Sequence, residues 1–98
     1  MELHGKNFIG KTLSSESTTT FQGFNPAEGA KLEPLFSEAT ESEINRAAEA
    51  AAAAFEIYRQ HSAADRSEFL ERVADEILAL GDELIQRAKA ETGLGEER

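Results

Sequence analysis

Both prolines of this 98-residue chain, Pro26 and Pro34, lie before residue 40, and from Thr40 onward apolar residues recur every three or four positions. This asymmetry constrains the fold more than any other feature. A proline-free stretch with a 3.6-residue apolar period reads as helix. A segment rich in glycine, proline and aromatics reads as strands and turns. Residues 1–39 hold four of the six phenylalanines and four of the seven glycines, and carry three basic and five acidic side chains. Residues 40–98 carry seven basic and fourteen acidic ones, which brings the total to −9.

In the first part, Lys6–Ile9 is a strand candidate, followed by a turn at Gly10-Lys11 and a polar loop over Ser14–Ser17. Thr18–Asn25 supplies β-branched and aromatic residues. Pro26-Ala27-Glu28-Gly29 has turn chemistry, because proline presets φ and glycine tolerates a positive φ at the exit. In Lys31–Ser37, Leu32, Pro34 and Phe36 share one parity, and Pro34 confines that strand to an edge or to pairing on one side. The two runs on either side of the turn are expected to form a hairpin.

In the second part, Thr40-Glu41-Ser42-Glu43 is a capping-box signature: the threonine hydroxyl accepts from the N3 amide and the N3 glutamate reaches back to the cap amide. Ile44, Ala48, Ala51, Phe55 and Tyr58 form the apolar stripe of the helix that follows. The Ala50–Ala54 run has the highest helix propensity available. Ser62-Ala63-Ala64-Asp65 is a second start of the same type, with Phe69, Val73, Ile77, Leu80 and Leu84 as its stripe. Gly81-Asp82 interrupts that stripe, glycine suiting a C-terminal cap and aspartate a fresh N-cap, so the sequence reads as a kink or as two helices in series. Gly93 is the natural stop. The expected class is α+β: short strands and a hairpin over about 6–37, then helices near 41–60, 63–80 and 82–92.

Composition excludes several functions. A net charge of −9 gives no electrostatic support to nucleic-acid binding. No apolar run approaches the ~20 residues of a membrane span, and no signal-peptide pattern follows Met1, so a cytoplasmic setting is the expectation. The absence of cysteine leaves no disulfide, thiolate nucleophile or sulfur-ligated metal. His4 and His61 each lack a helical partner at the spacing of a metal pair, and His61, just before a helix start, reads as a solvated side chain. Glu68, Glu71, Asp75 and Glu76 line the polar flank of a helix, with Arg66 and Arg72 among them, and read as a charge-laced surface, Glu68–Arg72 and Arg72–Glu76 being the i,i+4 pairs. Gly93-Leu94-Gly95 is a helix exit without the preceding strand of a dinucleotide fingerprint. An acyl-carrier reading fails for want of an Asp-Ser-Leu attachment site at a helix start.

The run Asn7-Phe8-Ile9-Gly10, the segment Phe24-Asn25-Pro26-Ala27-Glu28-Gly29, the helix Ala47–Tyr58 and the stretch Arg66–Gly93 ending in Ala90-Glu91-Thr92-Gly93 together resemble the N-terminus of an NAD(P)-dependent aldehyde dehydrogenase. The resemblance covers the whole chain in order. With Leu3–Gly10, Lys31-Leu32-Glu33-Pro34 and Ala79–Leu84, it is greatest to the α-ketoglutarate semialdehyde (2,5-dioxopentanoate) dehydrogenases. Tyr58 stands where the family often has tryptophan, and Gly93-Leu94-Gly95 replaces the commoner Gly-Lys-Pro.

The resemblance implies that residues 1–98 are an N-terminal scaffold segment of a dinucleotide-binding domain, with strands and turns over 1–39, helices over 40–98, and an incomplete interior. The family's catalytic cysteine, general-base glutamate, oxyanion-hole asparagine and cofactor contacts lie downstream of anything matching residue 98. No catalytic, cofactor-binding or metal-binding residue is therefore expected here. The backbone carbonyl through which some members hold a monovalent cation would fall on Phe24, and no site is placed there. Thiohemiacetal formation needs a thiolate, so the chain alone is expected to be inactive. NAD or NADP is implied for the parent, with the remainder of the parent polypeptide as partner. With 23 apolar side chains larger than alanine in 98 residues, the interior is thin. The stripes at Phe69/Val73/Ile77 and Phe55/Tyr58 are expected to pack on structure outside the chain, or to self-associate. The competing expectation is a free-standing acidic helical interaction module.

Overall fold

The computed structural model describes residues 1–98, in the order β1 (Asn7–Ile9), β2 (Thr12–Ser14), β3 (Thr20–Asn25), β4 (Ala30–Ser37), α1 (Glu41–Tyr58), α2 (Ala63–Ala79) and α3 (Asp82–Thr92). This is the α+β architecture expected from the sequence. Helix ends fall within two residues of the expected positions, as fraying ends do. The chain forms two units. One comprises His4–Phe21 and Leu35–Ser62, the other Met1–Leu3, Gln22–Pro34 and Ala63–Arg98, so β3 and β4 contribute residues to both.

In the first unit, β1 and β2 form an antiparallel hairpin with Asn7 opposite Ser14, Phe8 opposite Leu13 and Ile9 opposite Thr12. Its two-residue loop is Gly10-Lys11. Gly10 has φ +59° and no non-glycine residue has a positive φ, the pattern of a type II′ turn. The sequence suggested a turn before Thr12 but not a paired strand there; three residues are too few to show an alternation. Side chains on a strand alternate faces. Phe8 and Leu13 therefore share the outer face, with Phe8 77% exposed. Asn7 and Ser14 share the face that meets the start of α1, which packs on β1. Gly5 lies close under β4: its carbonyl accepts from the Ser37 amide at 2.8 Å, and a Cβ built on it would stand 1.9 Å from the Leu35 carbonyl oxygen. Phe21 and Phe36 stack across the β3–β4 ribbon with centroids 5.5 Å apart.

In the second unit, the hairpin turn is built by Asn25. Its Oδ1 accepts from the amides of Ala27 (3.0 Å) and Glu28 (3.2 Å), and its carbonyl accepts from Gly29 N at 2.8 Å. This is the side-chain-to-backbone turn that asparagine favours. β4 alternates as expected, with Leu32 and Pro34 half-buried and Lys31 and Glu33 exposed. Pro34 sits in a two-stranded ribbon, where its missing N–H costs no second ladder. Gly81 and Asp82 separate two helices rather than kinking one. The roles differ from those expected: Gly81, at φ +61°, is itself the N-cap of α3, and Asp82 is the first helical residue. A glycine in that conformation turns the chain into the helix without a side-chain cap. Gly93 ends α3 in the left-handed conformation at φ +69°, donating to the Lys89 carbonyl, as expected.

No hydrophobic side chain is fully buried anywhere in the chain. Glu43, at 1% exposed, is the most buried side chain. The helical stripes form where the periodicity places them, but Ile44, Phe55, Phe69 and Ile77 remain more than half exposed.

Candidate functional site

The most fully built polar cluster surrounds the N-terminus of α1. Thr40 Oγ1 accepts from Glu43 N at 3.1 Å, and Glu43 Oε1 accepts from Thr40 N at 3.1 Å, completing the expected capping box. The β1–β2 hairpin closes over this cap. The Ser14 hydroxyl, the Thr40 amide, then the Asn7 amide and the Thr40 hydroxyl favour the charged carboxylate, against the cost of burial. Together they hold the Glu43 carboxyl down at about 2. Glu43 Oε2 is buried without a hydrogen bond of standard geometry. Glu16 takes the Arg46 guanidinium at 2.7 Å, and Arg46 also donates to Ser14 Oγ at 3.3 Å. At this helix start the Thr40 amide is met by the Glu43 carboxylate and the Glu43 amide by the Thr40 hydroxyl. The cluster is a structural lock between hairpin and helix.

A second polar centre was not apparent from the sequence. Arg87, on α3, donates through Nη1 to the Glu33 carbonyl on β4 and through Nε to Glu91 Oε1 at 2.7 Å. Its side chain is 17% exposed. Gly23 lets the guanidinium approach β3: a Cβ there would lie 3.1 Å from Arg87 Nη2. The Arg87–Glu91 spacing of four was readable as a surface ion pair, but the 54-residue separation from Glu33 left no local signal.

The other residues weighed from the sequence do not converge on a reaction centre. His4 Nδ1 accepts from the Lys6 amide at 3.0 Å and its ring meets the edge of Phe8 at 5.3 Å. The His61 ring lies 6.1 Å from that of Tyr58. On α2, Arg72 pairs with Glu76 at 2.9 Å with both side chains largely exposed, one of the two surface pairs expected there. No group of three or more His, Asp or Glu side chains is placed to hold a metal ion, and no helix is long and apolar enough to cross a membrane. Gly93-Leu94-Gly95 follows the C-terminal end of α3, where helix carbonyls present partial negative charge. That is the wrong polarity for a pyrophosphate, so these residues do not fit a dinucleotide. Beside them is a shallow groove of about 270 Å³ lined by Leu84, Ile85, Ala88 and Leu94 on its apolar side and by Lys89, Thr92, Glu96 and Arg98, with Lys89 and Glu96 paired at 3.3 Å.

With the fold and these clusters described, the relationship to known proteins is direct. Residues 12–96 match the aldehyde dehydrogenase family, and the chain belongs to that family. It is 45% identical over 95 residues to alpha-ketoglutaric semialdehyde dehydrogenase 2 of Azospirillum brasilense, covering 96% of this chain and 18% of the relative. It is 36% identical over 93 residues to the alpha-ketoglutaric semialdehyde dehydrogenase of Acinetobacter baylyi, covering 95% and 18% respectively. It is 34% identical over 91 residues to an NADP(+) succinate-semialdehyde dehydrogenase of Schizosaccharomyces pombe, covering 92% and 18%. The chain thus spans about a fifth of the length of these curated relatives. No solved structure gives a significant match.

Proposed function

We propose that this chain is the N-terminal outer scaffold of an NAD(P)-dependent semialdehyde dehydrogenase whose reacting groups lie outside residues 1–98. The parent oxidises a semialdehyde such as α-ketoglutarate semialdehyde to the acid. The observation that carries this reading is physical. Three amphipathic helices form, each with its apolar stripe, yet no hydrophobic side chain is buried. Helices owe most of their stability in proteins to packing of that face, so these faces call for a cover. The extent of the family match supplies one: the rest of the dehydrogenase polypeptide.

The chain supplies no thiol for attack on an aldehyde carbonyl and no cradle for the dinucleotide. What its own residues do is hold shape. Glu43 locks hairpin to helix, and Arg87 locks α3 to the ribbon. The setting is cytoplasmic, without nucleic acid or membrane as partner.

The test replaces the matching segment of the Azospirillum brasilense relative with this chain, with a second chimera carrying the Acinetobacter baylyi segment. The chimera bearing this chain is expected to be soluble and to reduce NAD⁺ or NADP⁺ with α-ketoglutarate semialdehyde, while the 98-residue chain alone gives no turnover. An active Acinetobacter chimera beside an insoluble or inactive chimera of this chain would contradict the proposal. So would turnover by the chain alone.

A further inference from the structure

We draw no further inference here: the strongest candidate, the Arg87 guanidinium between α3 and the β3–β4 ribbon with its Nη2 buried and unpartnered, belongs to the structural lock with Glu33 and Glu91 already described, and nothing in the structure shows a ligand for that nitrogen.

Discussion

Thr40 and Glu43 cap each other: the hydroxyl of one and the carboxylate of the other each accept the partner's backbone amide at 3.1 Å. Two amides that the helix cannot satisfy internally are thereby met at the point where the chain passes from strands to helices. Thr40→Ala removes one of those acceptors and is expected to cost about 1 kcal/mol, with Thr40→Ser close to neutral. Urea unfolding followed by far-UV circular dichroism reads both.

Glu43 also sets an acid limit. Its carboxyl is held at about 2 in the folded chain, below an ordinary value of 4.5, first by the Ser14 hydroxyl and then by the Thr40 amide. The unfolded chain thus takes up this proton at higher pH than the folded one. The stabilisation is complete above about pH 4.5 and is lost as pH falls from there through about 2. Glu43→Gln is expected to lower stability at neutral pH and to flatten the loss between those limits. Melting curves at half-unit pH steps would show it. A variant that keeps the original acid slope would assign that slope to other carboxylates.

Arg87 joins elements far apart in sequence. Arg87→Ala is expected to cost about 1–2 kcal/mol through loss of its bonds to the Glu33 carbonyl and Glu91. Arg87→Lys should recover little of this, because an ammonium cannot present two donors in a fork. Hydrogen exchange of the β4 amides in both variants checks the local effect.

Two glycines with nearly the same φ should respond very differently to alanine. Gly29, at φ +67°, has open space within 4 Å of where a Cβ would stand, so Gly29→Ala meets the left-handed backbone penalty alone, about 1–2 kcal/mol. At Gly5, with φ +69°, the added atom meets the Leu35 carbonyl oxygen at 1.9 Å. Gly5→Ala is expected to cost at least about 4 kcal/mol, or to prevent folding of this unit. Thermal melts of the two variants side by side decide it.

Much of this architecture was legible in sequence because its signals are local. The capping box at Thr40–Glu43, the turn at Pro26–Gly29, the edge position of Pro34 and the stop at Gly93 each depend on a few neighbouring residues and a backbone preference. What escaped was either set by distance along the chain or indifferent to it. That Glu43 would be buried depends on Ser14 and Asn7, far upstream in the first hairpin, and the anchoring of Arg87 depends on Glu33. The N-cap falls on Gly81 rather than Asp82, because a positive-φ glycine can turn into a helix as readily as a polar side chain can cap it. The family relationship rested on the order of several weak motifs.

The central claim is that the apolar faces of these helices are the inner surface of a larger dehydrogenase. Hydrogen exchange across α2 tests it most directly, measured in the isolated chain and again in the chimera that carries this chain within the Azospirillum brasilense enzyme. The amides around Phe69, Val73 and Ile77 are expected to exchange at least about a hundredfold more slowly in the chimera, as a covered face requires. Equal rates in a folded chimera would mean that nothing covers the face, and would contradict the account.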